Sequence, residues 1–535
     1  MRGADLIVSS LSGAGVEVIF SLSGNQIMPI YDACIDAGIR IVHTRHEGAA
    51  VYMAEAYAQL TGKIGVAMIT AGPGFASGLG PLVTARASET PVLLLSGDSP
   101  RAQDGRGCFQ ELDQVSISQP LTKWSHRPAI AANMGLDVAR AVRIARSCRP
   151  GPVHLALPFD LLNETVETPA FPRAADFEPE HNPPDATMLT AVAEALQQAQ
   201  RPLVLTGPRL NRSRSTEAAA LETAFDVPVI AMESPRGLKD PCLGDFAGIL
   251  AQADLVVALG KQIDHTTGYG QTPPLGADCR VIVVDSDDAA RERAERALGD
   301  RLYFASSGNA VETADALAAI AQVDGDRAGW RAQVAEAIAA RPAEPQTTSE
   351  SPMRPAVLCA AVQRLLDRVD NPLLIIDGGE FGQWAQAFIS APVRMINSVS
   401  GCIGGSIGYA IAAKIAQPGS TVVALLGDGT AGFHFAEFET AHRYGIDFVA
   451  IIGHDARWNA EVQIQMREYG ADRVFETELN PTRYDQAAVA FGCHGEHVSD
   501  PAELDAALER AVASGLPACF VCEIQGLPAP SGSNH

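Results

Sequence analysis

The sequence predicts an α/β protein made of three Rossmann-like domains, each built around a parallel sheet. The chain has 535 residues, which is more than one hydrophobic core usually serves. Short runs rich in β-branched residues alternate with helical patterns along the chain, as they do in βαβ units. Two proline-rich segments without sustained periodicity interrupt this alternation. Together these observations divide the chain into three blocks of similar architecture.

Each block contains its own set of strand-like runs. The first block has VEVIF, IRIVHT, GVAMIT, PVLLLSG and GPVHLALP, and the second has RPLVLTG, VPVIAM, ADLVVALG and CRVIVVDS. The third block has PLLIIDGG, STVVALLGDG, DFVAIIG and ACFVCEIQG. Continuous apolar runs of this length are typical of strands that are buried on both faces of a parallel sheet.

The interruptions predict where the domains meet. They lie at about 165–187 and about 341–355. We therefore expect a first domain over 1–170, a middle domain over 186–340 and a third domain over 355–528. The tail PAPSGSNH after Leu527 is expected to fray.

Composition and charge exclude several classes of function. The formal charge of −23 repels nucleic acid and anionic membranes, and no Lys/Arg-rich run opposes it. We find neither a membrane-spanning apolar run nor a signal peptide. The ten cysteines are scattered, and Cys519 and Cys522 form a CxxC inside a strand-like run, so neither disulfides nor a metal site is expected there. We expect a soluble cytoplasmic protein that acts on a small molecule.

One triplet in the third block combines a phosphate crevice with a metal ligand. Gly427, Asp428 and Gly429 stand where a buried strand stops and a helix begins, an edge that receives phosphates. Asp455 stands 27 residues after Asp428, at the end of the next strand. Mg²⁺ prefers about six oxygen ligands, which two carboxylates, a backbone carbonyl, water and diphosphate oxygens would supply. Taken alone, the triplet is equally well explained as an ordinary strand-to-helix turn.

The complete arrangement resembles the fingerprint of thiamine diphosphate (ThDP) enzymes, in which GDG is followed at this distance by a second metal ligand. That ligand is usually the latter Asn of an Asn-Asn pair, and here the pair reads His454-Asp455. The resemblance implies that Asp428, Asp455 and the backbone carbonyl of Arg457 bind Mg²⁺. His454 departs from the family pattern, and we favour a hydrogen-bonded structural histidine over a catalytic one.

The segment TRHEGAAVYMAEAYAQLTGKIGVAMITAGPGFASGLGPL resembles the pyrimidine-binding domain of the same superfamily. The resemblance implies that Glu47 hydrogen-bonds N1′ of the aminopyrimidine and stabilises the imino form that deprotonates thiazolium C2. Considered alone, Glu47 would be explained as a stabilising charge at a helix N-terminus. The other motifs favour the catalytic interpretation.

A third segment, NSVSGCIGGSIGYAIAAK, resembles the stretch beneath the cofactor. It implies that Gly401 offers its carbonyl to the 4′-amino group and that Ile403 props the cofactor, although core packing of Ile403 is an equally compatible role. The segment from Asp377 to Phe381 is expected on the diphosphate or substrate side. The resemblance assigns these residues to the cofactor: Glu47, Thr70, Pro73, Gly378, Glu380, Phe381, Gly401, Ile403, Gly427, Asp428, Gly429, Thr430, Asp455, Trp458 and Asn459.

The likeness spans nearly the whole chain and is nearest to the acetolactate synthase-like superfamily, which includes benzaldehyde lyase and 2-hydroxyacyl-CoA lyases. It implies a ThDP- and Mg²⁺-dependent lyase or carboligase that forms or cleaves a carbon–carbon bond next to a carbonyl through an enamine. The substrate would be a 2-keto acid, an aldehyde or a 2-hydroxyacyl donor. Active sites of this group join two subunits, so a homodimer is the implied minimum and a homotetramer is expected.

Four residues are candidates for the catalytic steps: Glu47, Gln26, Gln110 and Glu461. Gln110 is expected to contact the carbonyl substrate. Gln26 stands where benzaldehyde lyase has a histidine, and an amide can hold an oxygen but does not shuttle a proton near neutral pH. Glu461 aligns with a proton-transferring carboxylate of pyruvate decarboxylase, but an exposed helical glutamate explains it equally well. Ile464 replaces a tryptophan that discriminates acceptors in acetolactate synthases.

Two other functions remain open. A simple 2-keto acid decarboxylase is favoured if Glu461 points at C2, although we do not find the paired-His motif of such enzymes. A ThDP-binding but nearly inactive subunit is the other, and Glu47 and both metal carboxylates argue against it. The middle domain either binds FAD or a CoA nucleotide, for which VLTGPRLNRSRS supplies glycines and arginines, or holds no ligand, because no complete GxGxxG follows its first strand.

Overall fold

The computed structural model of the protein describes residues 1–211, 215–321, 327–341, 343–344, 350–396 and 399–530. Its strands form three sheets of six, five and six strands, and neighbouring strands in each sheet are parallel. Helices cover the sheets, as parallel sheets require. The predicted α/β fold with three Rossmann-like units is confirmed.

The first sheet has the strand order β2-β1-β3-β4-β6-β5. Its strands are β1 (Val18–Ser21), β2 (Arg40–His43), β3 (Gly65–Ile69), β4 (Val92–Asp98), β5 (Ser125–His126) and β6 (Val153–Pro158). The helices around it are α1 (Gly3–Gly13), α2 (Met28–Ala37), α3 (Glu47–Thr61), α4 (Pro73–Ser77), α5 (Gly80–Ala87), α6 (Gln114–Ser118), α7 (Met134–Arg146) and α8 (Phe159–Asn163).

The middle sheet has the order β11-β10-β9-β7-β8. Its strands are β7 (Pro202–Thr206), β8 (Val229–Ala231), β9 (Leu255–Leu259), β10 (Arg280–Val284) and β11 (Leu302–Ser306). Its helices are α9 (Ala186–Gln198), α10 (Thr216–Phe225), α11 (Phe246–Leu250), α12 (Asp288–Leu298), α13 (Ala310–Ile320) and α14 (Ala328–Ala339).

The third sheet repeats the order of the first, as β13-β12-β14-β15-β17-β16. Its strands are β12 (Pro372–Ile376), β13 (Val393–Ile396), β14 (Thr421–Gly427), β15 (Phe448–His454), β16 (His494–Val498) and β17 (Pro517–Glu523). Its helices are α15 (Pro355–Leu366), α16 (Gly379–Phe388), α17 (Ser406–Ala416), α18 (Asp428–Ala431), α19 (Glu437–Tyr444), α20 (Asn459–Tyr469), α21 (Tyr484–Ala490) and α22 (Leu504–Ala513).

This order places a crevice at a defined point of each sheet. In the first sheet the second strand lies on one side of β1 and the third on the other, so the strand order changes direction between β1 and β3. In the third sheet the strand order changes direction between β12 and β14. At such a switch point the loops leaving the two strands diverge, and ligands bind between them. The first and third sheets therefore each present a ligand-binding edge at their carboxyl ends.

The first and third domains share one hydrophobic core. Helices α3 and α17 pack against each other within it, and Tyr52 of α3 lies edge-on to Tyr409 of α17 with ring centroids 5.7 Å apart. The Tyr409 hydroxyl donates to the fully buried Glu55 of α3 at 2.7 Å. Within the described ranges, no helix is both long and apolar enough to span a bilayer.

Four strands were not predicted from the sequence, namely β5, β11, β13 and β16. Each lies at the edge of its sheet. Edge strands are covered on one side only and carry polar residues, as HGEHV in β16 does. They lack the continuous apolar run that marks the central strands.

The predicted fraying of the tail is wrong for residues 528–530. The Ala529 N–H donates to Glu380 Oε1 at 2.6 Å, and the Leu527 carbonyl accepts from Trp384 Nε1 at 3.3 Å. Polar composition suggested a free end, but these hydrogen bonds to α16 hold it. Residues 531–535 of the predicted tail lie outside the described residues.

Candidate active site

A chain of hydrogen bonds crosses the switch point of the first sheet. Gln26 follows β1 and Thr70 follows β3. Thr70 Oγ1 donates to Gln26 Oε1 at 2.6 Å, and Gln26 Nε2 donates to Gln110 Oε1 at 2.9 Å. Gly72 lies so close to Gln110 that a Cβ would stand 2.8 Å from the Gln110 carbonyl. The two glutamine amides are thus fixed in orientation at one end of the sheet.

Glu47 stands at the start of α3, beside this chain. His46 caps the helix by accepting the Gly48 N–H on Nδ1 at 2.9 Å. Glu47 Oε1 is 3.2 Å from where a Cβ on Gly74 would lie, and Thr70 Cγ2 is 2.6 Å from that point. Pro73 begins α4 at the same place. The structure therefore brings Glu47, Thr70, Pro73, Gln26 and Gln110 together at one end of the first sheet.

Two carboxyl groups stand at the corresponding edge of the third sheet. Asp428 begins α18 directly after β14, and Asp455 follows β15. Asp428 Oδ2 is buried and has no hydrogen-bond partner among the described residues. Burial raises the pKa of Asp428, and His454 opposes the rise. Burial, together with the charge of Asp428, raises the pKa of Asp455 to about 7.

These carboxyl groups fit a hard divalent cation. Two ionised carboxylates are unstable side by side in a buried site unless a positive charge neutralises them. The described residues include no group of three or more His, Cys, Asp or Glu side chains able to hold a metal. A cation bound here would therefore need backbone carbonyl, water or cofactor oxygens besides Asp428 and Asp455, which is the ligand set that Mg²⁺ accepts.

His454 is held by the backbone beside this pair. Its Nε2 accepts the Thr482 N–H at 3.2 Å, so this ring nitrogen carries a lone pair. The same atom lies 3.8 Å from Asp428 Oδ2. This geometry supports a structural histidine.

Aromatic rings pack directly onto the backbone around the two carboxyl groups. A Cβ on Gly429 would lie 2.8 Å from the Trp458 ring, and a Cβ on Gly453 would lie 2.6 Å from the Phe381 ring. Thr430 Oγ1 donates to the Gly427 carbonyl at 2.9 Å. The glycines therefore allow a close approach that any larger residue would prevent.

The segment that carries Gly401 and Ile403 is clamped at Gly404. The Gly404 N–H donates to Asp377 Oδ1 at 2.9 Å, and its carbonyl accepts from His434 Nδ1 at 2.7 Å. Asp377 ends β12 and is buried, and burial raises its pKa despite its hydrogen-bond donors. Gly404 has a φ of +87°, and a Cβ there would lie 2.5 Å from Phe433.

Glu380 and Glu461 lie in the first turns of α16 and α20, close enough for their charges to interact. Glu380 is in the first turn of α16, close to Gly378, which caps that helix. Burial raises the pKa of Glu380, and the charge of Glu461 raises it further. The hydrogen bond from the Ala529 N–H and the charge of Arg236 lower it. Glu461 is exposed in the first turn of α20.

The tail crosses α20 as well. Asn459 Nδ2 donates to the Leu527 carbonyl at 3.2 Å, and Gln463 Nε2 donates to the Gly526 carbonyl at 3.3 Å. A Cβ on Gly526 would stand 3.5 Å from Asp455 Oδ2. The chain end therefore passes beside the carboxyl pair and covers it.

Comparison with known proteins identifies this arrangement. Residues 1–117 match the N-terminal TPP binding domain of thiamine pyrophosphate enzymes, and residues 377–522 match the C-terminal TPP binding domain. A probable acetolactate synthase of Mycobacterium bovis is 34% identical over 532 residues, covering 97% of this chain and 95% of the relative. The chain belongs to the thiamine pyrophosphate enzyme family.

Other relatives of this ThDP enzyme are named either 2-hydroxyacyl-CoA lyase or acetolactate synthase. A 2-hydroxyacyl-CoA lyase 2 of Mus musculus is 29% identical over 552 residues, covering 92% of this chain and 84% of the relative. A probable acetolactate synthase large subunit of Methanocaldococcus jannaschii is 26% identical over 545 residues, covering 97% and 91%. The predicted membership of the acetolactate synthase-like superfamily is confirmed, as is an enzyme of lyase or carboligase type.

The ThDP enzyme has two groups of candidate site residues, one in the first domain and one in the third. Among the contacts of the described residues, none links Glu47, Gln26 or Gln110 to Asp428 or Asp455. His434 comes nearest to doing so, because a Cβ on Gly48 would lie 3.2 Å from His434 Nε2. Sequence interpretation missed His434, although its place a few residues after the GDG triplet was a signal.

The Arg149 side chain enters the middle domain beside the switch point of its sheet. Arg149, which comes from the first domain, forms ion pairs with Glu89 and Asp285 and donates to the Gly260 carbonyl at 3.2 Å. Gly260 follows β9, at the switch point of the middle sheet. Of the arginines in VLTGPRLNRSRS, those at 212 and 214 lie outside the described residues.

Proposed function

We propose that this enzyme is a ThDP- and Mg²⁺-dependent lyase or carboligase that forms or cleaves a carbon–carbon bond next to a carbonyl. The observation that carries the proposal is the buried Asp428 beside the half-buried Asp455, with an oxygen of Asp428 that has no hydrogen-bond partner in the described structure. The names of the relatives, acetolactate synthase and 2-hydroxyacyl-CoA lyase, both support chemistry of this class.

The residues of the third domain would bind the charged end of the cofactor. Asp428, Asp455 and the carbonyl of Arg457 would hold Mg²⁺ against the diphosphate. Gly401 and Ile403 would support the middle of the cofactor, since the clamp on Gly404 fixes their segment. Bound ThDP supplies a nucleophilic carbon and an electron sink for the carbonyl substrate.

The residues of the first domain would control protons and orientation. Glu47 would hold a proton at N1′ of the aminopyrimidine. Gln26 and Gln110 would orient the substrate oxygen, because their amides are already tied to each other and to Thr70. Neither amide transfers a proton near neutral pH. Glu461 is the candidate for proton transfer to the substrate.

A simple 2-keto acid decarboxylase is the second candidate. It is favoured by Glu461 and Glu380, because two neighbouring carboxyl groups share a proton more readily than two separate ones. The two functions differ in their products. Pyruvate alone would give acetaldehyde in a decarboxylase and a condensed hydroxy-keto acid in a carboligase. A nearly inactive ThDP-binding subunit would give neither.

We further propose that each active site is built from two subunits, with Glu47 from one chain and Asp428 from the other. The lack of a hydrogen bond or ion pair between the two groups among the described residues of one chain is compatible with this arrangement. A homodimer is then the minimum assembly. We also propose that the enzyme forms a homotetramer and is located in the cytoplasm. The ion pairs of Arg149 favour a middle domain without FAD or a CoA nucleotide, so the purified protein should be colourless.

Calorimetry tests the cofactor assignment. We expect ThDP to bind in the presence of Mg²⁺ and binding to be lost in excess chelator. Asp428→Asn should weaken ThDP uptake by at least about tenfold, because a neutral amide binds a divalent cation poorly. Asp447→Asn is the matched control, since Asp447 is partly exposed and pairs with Lys414. Equal uptake in all three proteins would refute the metal site.

A product assay tests the reaction. The holoenzyme is incubated with pyruvate, benzaldehyde, glycolaldehyde and a 2-hydroxyacyl-CoA, singly and in pairs, and the products are identified by mass. We expect a product in which a new carbon–carbon bond joins two substrates, or in which the 2-hydroxyacyl-CoA has been cleaved. Release of carbon dioxide and aldehyde alone would favour the decarboxylase instead.

A further inference from the structure

The catalytic candidate Gln110 has an unusual backbone conformation. Its φ is +61°, in a region that residues other than glycine rarely adopt. Its backbone packs against Gly72, where a Cβ would stand 2.8 Å from the Gln110 carbonyl oxygen. Its side-chain oxygen accepts from Gln26 Nε2 at 2.9 Å. A strained conformation of this kind persists only where the surrounding structure fixes it, so the residues that hold this loop matter for the site.

The next residue, Glu111, holds the loop with its side chain. Glu111 Oε1 accepts the Gly105 N–H. Its Oε2 accepts the N–H groups of Gly107 at 2.9 Å and of Cys108 at 3.0 Å. Gly105 and Gly107 have φ values of +71° and +72°, and turns with such conformations direct successive N–H groups toward one anion. The Glu111 carboxylate is that anion, and it closes residues 105–111 into a ring.

The charge state of Glu111 suits this role. The hydrogen bonds from the Gly105 and Cys108 N–H groups lower the pKa of Glu111, so the side chain is an anion near neutral pH. A carboxylate has two oxygens that only accept hydrogen bonds, whereas an amide has one oxygen and a donating NH₂ group. A glutamine at this position would therefore turn a donor toward at least one of the three backbone donors.

The ring is tied to the first sheet at its other end. Asp104 directly precedes it and accepts from Arg127 Nη1 at 2.7 Å and from Nη2 at 2.9 Å. Arg127 Nε donates to the buried Asp98, which ends β4. The start of the ring is thus fixed relative to the sheet. Glu111 connects its neighbour Gln110 to that fixed frame.

We propose that Glu111 is a positioning residue, whose carboxylate holds the loop over 105–110 and thereby orients the Gln110 amide. The inference rests on the proposed function, in which Gln110 orients the substrate oxygen, and adds a residue to it. Both oxygens of Glu111 already accept backbone N–H groups. Glu111 therefore acts through Gln110 and not on the substrate.

Hydrogen exchange tests the hold on the loop without turnover. The full-length parent and Glu111→Gln are compared by hydrogen–deuterium exchange and mass spectrometry. Peptides covering 104–111 should exchange at least about fivefold faster in the variant, because three N–H groups lose a charged acceptor. Peptides covering β4 should exchange as in the parent. Unchanged exchange of the loop, or faster exchange throughout the protein, would overturn the proposal.

The matched control is Asp254→Asn. Asp254 also accepts two backbone N–H groups, from Gln200 at 2.7 Å and from Arg201 at 2.9 Å, but in the middle domain. This variant should speed exchange around Gln200 and leave both the loop over 104–111 and the activity unchanged. An equal loss of activity in Asp254→Asn and Glu111→Gln would show that loosening any loop lowers turnover, and the proposal would fall.

A double-mutant cycle tests whether Glu111 acts through Gln110. The parameter kcat/KM is measured for pyruvate, or for a 2-hydroxyacyl-CoA if pyruvate gives no product. Glu111→Gln should lower it by about tenfold to 10²-fold in the parent, as expected for a misplaced orienting group. In the Gln110→Ala background the same substitution should change it by less than about twofold, because the group that Glu111 orients is gone.

Two results of this cycle would contradict the proposal. Equal losses of kcat/KM in the two backgrounds would show that Glu111 acts independently of Gln110. Faster exchange of the loop with kcat/KM at the parent value would show that the hold does not serve the reaction.

The inference and the proposed function fail separately. If the parent converts substrates but Glu111→Gln keeps its loop protection and its kcat/KM, the inference fails and the proposed function stands. If the parent converts no substrate but exchange of the loop depends on Glu111, the hold on Gln110 stands and the proposed function fails.

Discussion

At the scale of the residue, the site uses acidic side chains in different environments. Asp428 is buried and Asp455 is half-buried beside it, and desolvation raises the pKa of both. Glu47 is only half-buried and stands at a helix N-terminus, where a negative charge is favoured. The first environment suits a cation, and the second suits a carboxylate that exchanges a proton with a ligand.

Glu47→Gln tests the second environment. The amide keeps the shape of the side chain but cannot hold the proton at N1′, so turnover should fall by about 10²-fold to 10⁴-fold. Uptake of ThDP and Mg²⁺ measured by calorimetry should be largely unchanged. Glu17→Gln, at an exposed glutamate paired with Lys63, is the control. Full activity in Glu47→Gln would contradict the assigned role.

His434 provides a second test at this scale. It donates to the Gly404 carbonyl, so His434→Phe should leave that buried acceptor unsatisfied at a cost of about 1–3 kcal/mol. We expect weaker ThDP binding and a lower unfolding midpoint in urea. His434→Asn places an amide nitrogen near the position of Nδ1 and should recover most of both. If the two variants behave alike, the hydrogen bond is not what holds the segment.

At the scale of the element, α19 fixes the loop that leads into α3. Glu437 of α19 is fully buried and accepts the Arg45 N–H at 3.0 Å. Burial raises its pKa to about 7, against the hydrogen bonds of Thr440, Arg45 and His46. The helix that follows GDG in the third domain therefore positions the start of the helix that carries Glu47.

This carboxyl group predicts a pH dependence of stability. Its pKa is about 7 in the folded protein and about 4.5 ordinarily, so the folded state binds the proton more tightly. The stabilisation of the folded state by this group is complete below about pH 4.5 and is lost as the pH rises to about 7. Above that pH it no longer changes. The free energy of unfolding changes by at most about 3 kcal/mol over this range.

Glu437→Gln should remove this dependence. Relative to the parent protein, its thermal midpoint should rise as the pH increases from 5 to 7, because the parent must then bury a charge. Glu439→Gln is the control. Glu439 is partly exposed, and its pKa is lowered by the hydrogen bond with Arg443 rather than raised by burial. A midpoint difference that does not change with pH would contradict the raised pKa of Glu437.

At the scale of the whole molecule, the two groups of site residues lie at equivalent edges of two sheets with the same strand order. One chain joins these sheets through α3 and α17, and its described contacts leave the two groups apart. The proposed dimer would bring the first-domain edge of one chain to the third-domain edge of its partner. Two sites per dimer would result.

Complementation tests this assembly. Glu47→Gln and Asp428→Asn chains should each be nearly inactive alone. After unfolding, mixing in equal amounts and refolding, half of the dimers carry one copy of each chain. If the site is shared, one of the two sites in such a dimer is intact, so about a quarter of the parent activity should return. No recovery in a mixture shown to contain mixed dimers would place both residues in one chain's site.

Local sequence patterns were sufficient wherever a feature depends on a short stretch of chain. The apolar run of β14 and the glycines beside Asp428 predicted a strand, a turn and a metal ligand within a few residues. The edge strand β16 was not predicted from the sequence because its residues HGEHV are mostly half-buried and polar. The order of the tail was not predicted because it depends on hydrogen bonds with Glu380 and Trp384, which are distant in sequence.

By itself, the sequence determined the α/β class and the family, because these depend on periodicity and on side-chain chemistry close along the chain. Only the tertiary structure decided that His434 donates to the Gly404 carbonyl and that Arg149 pairs with Asp285. Such contacts join residues more than about thirty positions apart, and their energies depend on burial and charge that arise only when the chain has folded.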